Sequence, residues 1–168
     1  ACCDVALLGA RADEALDRRL VLLQTTPHQL GHVPLRVPHR EPDELGPQIG
    51  AIRNILEAWG LPVVGVREFE ADDVAGTFAQ AASKAGRSTV VVTGDRDFVQ
   101  LVTGTVRVLM TVKGGMDAWP LLDADAVVER FGVSPSQYLD VAILRGDPSD
   151  GLPGVPAIGE KTAVALIS

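Results

Sequence analysis

Cysteine is nearly absent from this chain, and its two thiols, Cys2 and Cys3, are neighbours. Adjacent cysteines cannot staple distant parts of a fold, and without spaced Cys or His partners they do not form a zinc site. A reducing cytosol is therefore the expected setting. No segment approaches the roughly 18 uninterrupted apolar residues of a membrane span, which excludes a helical membrane protein. Aromatic residues make up only 4% of the chain, and the sequence contains no internal repeat or low-complexity tract. Basic residues are in deficit: 15 Lys+Arg against 22 Asp+Glu give a formal net charge of -7. That balance argues against a protein gripping nucleic acid over its whole surface, because phosphate binding is driven by Lys and Arg. The chain lacks an initiating Met and a charged-then-apolar leader, the pattern expected of a fragment or processed piece.

What is present suits one ordinary domain: 168 residues, 46% hydrophobic and 22% charged. Residues 1–40 are broken by Pro27, Pro34 and Pro38, with short apolar runs at Ala6 to Leu8 and Leu20 to Leu23. They are left as an unassigned N-terminal segment. From Asp43, apolar residues Leu45, Ile49, Ile52, Ile55, Leu56 and Trp59 recur at helical spacing and stop at Gly60, a C-cap signal. Leu61 to Val66 then reads as a strand, Glu70 to Ala85 as an Ala-rich helix, and Ser88 to Thr93 as a Val-rich strand. A Val-Val-Val run suits a strand buried on both faces, so alternating strands and helices favour a doubly wound α/β domain with a mostly parallel sheet. Val106 to Thr111 supplies another strand. Asp123 to Phe131 reads as a helix closed by Gly132, Ser134-Pro135 starts another helix running to Leu144, and Glu160 to Ile167 a last one. This divides the chain into residues 1–40, an α/β core at 41–133 and a helical region at 134–168.

Three acidic groups stand out. Glu70-Ala71-Asp72-Asp73 packs three carboxylates at the start of the Ala-rich helix. One such acid is usually a helix cap, but three exceed what a cap uses, and a hard divalent cation is the usual compensation. Gly94-Asp95-Arg96-Asp97 follows the Val-rich strand, where open parallel sheets place their sites; the competing reading is an Asx-turn with Gly94 and a cap at Asp97 for the turn Phe98 to Leu101. Gly146-Asp147-Pro148-Ser149-Asp150-Gly151 has turn composition, with two acids three residues apart. Setting aside these seven acids leaves 15 acids against 15 basic residues, so the negative excess is local. A fourth feature, Gly154 to Ala163, is a Gly-bounded hairpin entering a helix. Backbone N–H groups there, with Lys161 beside them, form a phosphate site indifferent to base identity, or else a plain helix connection with Lys161 solvated.

The order of these motifs is more specific than any one of them. Glu-Ala-Asp-Asp, Thr-Gly-Asp-Arg-Asp-Phe-Val-Gln-Leu and Gly-Asp-Pro-Ser-Asp-Gly-Leu-Pro-Gly-Val-Pro-Ala-Ile-Gly-Glu-Lys-Thr-Ala resemble the bacterial 5′ to 3′ exonucleases and flap endonucleases, including the nuclease domain of DNA polymerase I. The resemblance covers about Arg40 to Ser168. It implies a PIN-like α/β nuclease domain, residues 41–133, running into a helix-hairpin-helix, residues 134–168. It further implies two divalent ions, Mg²⁺ or Mn²⁺, with Glu70, Asp72, Asp73 and Asp95 matching the acids of the first cluster and Asp97, Asp147 and Asp150 those of the second. The hairpin residues Gly154, Val155, Ala157, Ile158, Gly159, Lys161 and Thr162 match the segment that holds duplex backbone, in some members with a bound K⁺. Metals roughly 3.5–4 Å apart can activate a water and stabilise the leaving oxygen, so no Ser or Cys nucleophile is needed. The implied partner is DNA at 5′ ends, flaps and branches, and the implied protein is a nucleoid-associated monomer in the cytoplasm. Asp95, Asp73, Asp147 and Arg40 are the residues expected to carry catalysis.

The chain also departs from the family. It lacks the opening Val-Asp-Gly strand, and a further family acid in a Cys-x-Asp context has only Cys2-Cys3-Asp4 as its counterpart, at longer spacing. The arch signature Tyr-Lys-x-x-Arg becomes Arg36-Val37-Pro38-His39-Arg40, which keeps Arg40 and puts Val37 in place of Lys. Gly151 stands where Asn is common, and Ala157 where Gly is common, which strains Ala157 if that position needs positive φ. These departures favour the rival reading, an inactive relative that binds DNA backbone through the hairpin. A third reading, a Mg²⁺-dependent phosphotransfer domain, fits the acids but not the motif order. Trp59 and Trp119 are expected to pack, Met110 and Met116 to fill gaps, and His28, His32 and His39 to have no role.

Overall fold

A computed structural model describes residues 4–8, 20–25, 45–66, 68–112, 114–148 and 151–168, with 4–8, 20–25, 45–47 and 49 as backbone alone. Its centre is a six-stranded sheet in the order β3-β1-β2-β4-β5-β6. The strands are β1 (Asp4–Leu8), β2 (Leu20–Thr25), β3 (Val63–Val64), β4 (Thr89–Thr93), β5 (Val106–Met110) and β6 (Leu121–Leu122). The helices are α1 (Leu45–Ala58), α2 (Ala71–Lys84), α3 (Ala124–Phe131), α4 (Pro135–Arg145) and α5 (Glu160–Ile167), with short 3₁₀ helices at Arg96–Leu101 and Met116–Ala118.

The Val-rich run forms β4 and is buried along most of its length, as a strand covered on both faces requires. It runs parallel to β2 on one side and β5 on the other. The outer pairings, β1 with β2, β1 with β3 and β5 with β6, are antiparallel, so the sheet is mixed rather than simply doubly wound. Two of the extra strands come from the apolar runs at Ala6 to Leu8 and Leu20 to Leu23, and β6 was not expected at all. The Leu61 to Val66 run contributes only the two residues of β3.

Helix α2 lies on the sheet through Ala71, Val74, Ala75, Ala79 and Ala82, all buried at helical spacing. Small alanines let the helix approach closely. The expected caps are present further along. Asp123 accepts the Ala126 N–H at 2.9 Å, Gly132 closes α3 at φ 76°, and Ser134 with Gln137 forms a capping box ahead of Pro135. Gln137 Nε2 then donates to the Ile167 carbonyl at 2.8 Å and ties α4 to α5.

Two expectations about packing fail. Trp59 is 73% exposed and Met116 is 75% exposed. Trp59 lies one residue beyond α1, whose Ile52 and Ile55 are also exposed, so the apolar stripe of that helix stands off the described core. Met116 lies in a 3₁₀ turn directly after Gly114 and Gly115, with no core beside it. Met110 is buried, and Trp119 is half-buried with its indole N–H donating to the Val112 carbonyl at 3.0 Å. His28, His32 and His39 lie outside the described residues.

Candidate functional site

The carboxyl ends of β2, β4 and β5 share one edge of the sheet, since the three strands are parallel and in matched register. Asp95 is two residues past the end of β4. Its backbone N–H donates to Thr93 Oγ1 at 3.0 Å, and its carboxylate accepts the Asp97 N–H at 2.9 Å. This is the Asx geometry that sequence left as one of two readings, but the cap is Asp95 and not Asp97: the 3₁₀ helix Arg96–Leu101 starts earlier than expected, because the Asp95 carboxylate takes the Asp97 N–H. Buried Phe98 and Val99 anchor that short helix, which leaves Asp97 exposed at the edge. Space at Gly94 is tight: a Cβ there would meet Thr111 Oγ1, just past the end of β5, at 3.0 Å.

The first acidic group sits at the N-terminus of α2. Glu70 is the N-cap, and Glu70 and Asp73 close a reciprocal capping box in which the Glu70 N–H donates to Asp73 Oδ2 at 3.2 Å. Two of the three carboxylates thus hold the helix end. Asp72 does not. Its Oδ1 is buried and has no hydrogen-bond partner. Burial pushes the Asp72 carboxyl above its ordinary range, with the charges of Glu70 and Asp73 adding in the same direction. A cavity of about 360 Å³ is lined by Asp72, Asp73 and Asp97, so the α2 acids and the acid after β4 face the same space.

Asp147 is positioned by backbone. Its N–H donates to the Leu152 carbonyl at 2.9 Å and its carbonyl accepts the Leu152 N–H at 2.8 Å, closing the loop that follows α4. Gly146 and Gly154 meet back to back beneath it. A Cβ on Gly154 would lie 2.5 Å from the Arg145 carbonyl carbon and from Gly146 N, closer than any side chain tolerates. Asp147 and Asp97 both line a second cavity of about 440 Å³, between the 3₁₀ helix, α4 and the loop. Asp97 is therefore common to both spaces.

Among the described residues, no group of three or more His, Cys, Asp and Glu side chains is close enough to enclose one metal ion. The donor set is all oxygen, and Mg²⁺ keeps most of its waters while taking one or two carboxylates and substrate phosphates. The orphaned Asp72 Oδ1, beside Asp73 and Asp97, fits a cation of that kind. Asp150, Val37 and Arg40 lie outside the described residues. Asp4 opens β1 instead of ending a strand, yet its backbone pairs with Thr25. Because β1 is antiparallel to β2, that pairing brings Asp4 to the same sheet edge as the end of β4.

The hairpin joins α4 to α5. The Val155 N–H donates to the Leu144 carbonyl at 2.9 Å, and Gly159 begins α5 without a side-chain cap, beside exposed Lys161 and Thr162. Gly154 and Ala157 both have positive φ, 64° and 66°. Ala157 thus carries the backbone strain that sequence anticipated. Gly151, at φ 72°, occupies a conformation that Gly and Asn both adopt, so that departure costs nothing. Val155 is exposed and Ile158 half-buried against the core. The acidic motifs drew no attention to Tyr138 or Arg145, which line the second cavity beside Asp147. Arg145 directly precedes the third acidic group, but Tyr138 belongs to no charged cluster in sequence.

Comparison with known proteins gives a consistent result. Residues 37–132 match the 5′-3′ exonuclease N-terminal resolvase-like domain, and residues 133–168 match the 5′-3′ exonuclease C-terminal SAM fold. A 5′-3′ exonuclease of Streptomyces coelicolor is 50% identical over 129 residues, 76% of this chain and 42% of that protein. DNA polymerase I of Mycobacterium bovis is 47% identical over 127 residues, 76% of this chain and 14% of the polymerase. The chain spans less than half the length of either relative. A structure of T5 5′-exonuclease with bound divalent zinc ions superposes with a TM-score of 0.62 at 20% identity, over 77% of this chain and 48% of that one, a likeness of fold. Acids gathered at the carboxyl edge of a parallel strand core, with a hairpin between two helices beside them, accompany a match over most of the sequence, and the chain belongs to the 5′-3′ exonuclease family.

Proposed function

We propose that this domain hydrolyses DNA phosphodiester bonds from 5′ ends and at 5′ flaps, using two Mg²⁺ or Mn²⁺ ions. The observation that carries this reading is the position of Asp97 between two acid-lined cavities, one shared with Asp72 and Asp73 and the other with Asp147. Asp72, Asp73, Glu70 and Asp95 would hold one ion, and Asp97, Asp147 and Asp150 the other. When bound, such ions supply charge neutralisation at the scissile phosphate and lower the pKa of water.

The protein's own part is positional. Asp95 and Asp73 set the ends of two helices through their carboxylates, and Asp73 also lines the first cavity. The Asp147–Leu152 backbone pair fixes the height of Asp147 above α4. The uncapped N-terminus of α5, with Lys161, supplies N–H groups and charge to a phosphate of the duplex backbone, whatever its sequence. The names of the relatives support this reading, as does the metal-bound T5 exonuclease.

Cleavage of an end-labelled 5′-flap DNA in Mn²⁺ or Mg²⁺, with chelator and an Asp95→Asn, Asp147→Asn double variant alongside, tests it. Metal-dependent cutting that the double variant loses is expected. Absence of cutting by the parent chain, with DNA binding retained, would favour the inactive DNA-binding relative instead.

A further inference from the structure

The 440 Å³ groove between the 3₁₀ helix, α4 and the Asp147 loop holds a cation that the acidic motifs do not explain. Arg145 is half-buried at the end of α4. Among the described residues its guanidinium makes one hydrogen bond, from Nε to the Gly146 carbonyl at 3.2 Å, and no ion pair. A guanidinium presents five donors in a planar fork, so one bond leaves most of them unspent. Beside it Tyr138 is 97% buried, held edge-on to Phe131 with ring centroids 5.2 Å apart. Its Oη has no partner at full hydrogen-bond distance, but the Arg145 side chain is near enough to act on it as a donor and as a charge, with Asp97 and Arg96 contributing less. Natively folded proteins seldom leave a buried hydroxyl and a half-buried guanidinium unmatched in one place.

The guanidinium is the accessible group short of an acceptor, since Tyr138 Oη is itself buried. An anion with several oxygens in the groove would satisfy it, next to Asp97 and Asp147, where metal ions would offset the acids. The same groove is lined by the apolar Leu139, Ile143, Leu152 and Val155, all exposed. An apolar lining beside a phosphate-binding fork matches the two halves of a nucleotide. We infer that Arg145, supported by Tyr138, binds a phosphodiester of the DNA strand lying against the second acidic pair, with the adjoining sugar and base on the apolar lining. This inference rests on the nuclease reading and adds a substrate contact to it.

The test is fluorescence anisotropy of a labelled 5′-flap DNA with the full 168-residue chain at a fixed level of Ca²⁺, a hard divalent ion able to offset the acids, across a monovalent salt series, with melting temperatures recorded for every variant. Arg145→Gln keeps a donor for the Gly146 carbonyl but removes the charge. It should weaken binding about tenfold and reduce the slope of log K against log salt by about 0.7–0.9, one phosphate contact, with little change in melting temperature. Arg145→Lys should restore the slope but only part of the affinity, because the fork is lost. Tyr138→Phe should bind two- to threefold more weakly without loss of stability, since its Oη has no partner at full hydrogen-bond distance to lose. Exposed Arg87, before the opposite end of β4, is the control, and Arg87→Gln should change nothing.

An unchanged salt slope in Arg145→Gln, or an equal fall in Arg87→Gln, overturns the inference. If Arg145→Gln does not fold, parental affinity in Arg145→Lys overturns it. Parental binding by Tyr138→Phe removes Tyr138 from the site. A parent chain that cuts flap DNA while Arg145→Gln keeps its slope refutes only this contact. A parent chain that binds but cuts with no metal refutes only the nuclease reading, and one that shows no salt-dependent binding refutes both.

Discussion

The placement of Asp147 depends on two glycines in contact, and a single methyl group tests that dependence. Gly154 has φ 64°, and a Cβ on it would lie 2.5 Å from Arg145 C, Arg145 O and Gly146 N, all backbone atoms that cannot rotate away. Gly151 in the same loop has φ 72° but nothing within 4 Å of its missing Cβ. Alanine at Gly151 therefore reports left-handed strain alone. That is about 1–2 kcal/mol, less the 0.4–1 kcal/mol gained from a stiffer unfolded chain, so roughly 1 kcal/mol. Alanine at Gly154 adds overpacking of about 1–3 kcal/mol, for a total of roughly 2–4 kcal/mol. In a domain of this size each kcal/mol lowers the melting temperature by about 2–4 °C, so Gly151→Ala should lose about 2–4 °C and Gly154→Ala roughly 5–15 °C. The clash can be relieved only by lifting the loop that carries the Asp147–Leu152 pair off the end of α4. A displacement of about 1 Å at a reacting group costs on the order of 100-fold in rate, so single-turnover flap cleavage at 20 °C, where both variants are folded, should fall about that much in Gly154→Ala. Gly151→Ala should cleave near the parental rate. Equal melting temperatures and rates in the two variants would refute the argument that glycine contact positions Asp147.

Other outcomes follow from the same geometry. Ala157→Gly should raise the melting temperature by about 1–4 °C by relieving φ 66°, read by calorimetry. Asp95→Asn, which keeps an acceptor for the Asp97 N–H, should melt like the parent yet lose cleavage, whereas Asp95→Ala should also lose about 1 kcal/mol of stability in denaturant titrations. Asp72 holds its proton more tightly when folded, because burial outweighs the backbone hydrogen bonds to its carboxyl, so its charge costs stability above the ordinary value of 3.8 and not below it. Asp72→Asn should accordingly stabilise the metal-free protein at pH 7, with the gain fading as pH falls through the raised folded pKa toward that value. Saturating Mn²⁺ should raise the melting temperature at pH 7, by about 2.7 kcal/mol of stability at 100 times Kd, and chelator should reverse it.

Local signals carried much of this protein. Helix ends at Gly60, Gly132 and Ser134-Pro135 were legible because a cap involves residues within one turn of each other, and so was β4, because consecutive Val residues suit little besides a strand buried on both faces. Motif order was enough to reach the family and to mark the acids. The Ala157 strain was legible too, since a departure from Gly at a hairpin position points directly at φ. Pairing direction was not legible. The antiparallel edges, the strand β6 and the placement of Asp4 at the working edge depend on which strands meet, and two-residue strands such as β3 and β6 carry no periodicity of their own. Packing of Trp59 was misjudged for a related reason: amphipathic spacing states which face is apolar, not whether anything lies against it. At the site, sequence supplied the acids and tertiary structure divided their work. Asp73 and Asp95 cap helices, Asp72 Oδ1 is left buried without a partner, and Asp97 is set between two cavities. Sequence already set Arg145 two residues from Asp147, but only packing of the Arg96–Leu101 helix against α4 brought Arg145 and Tyr138 beside Asp97, because residues about 45 positions apart in sequence share no local signal and meet only when the core closes.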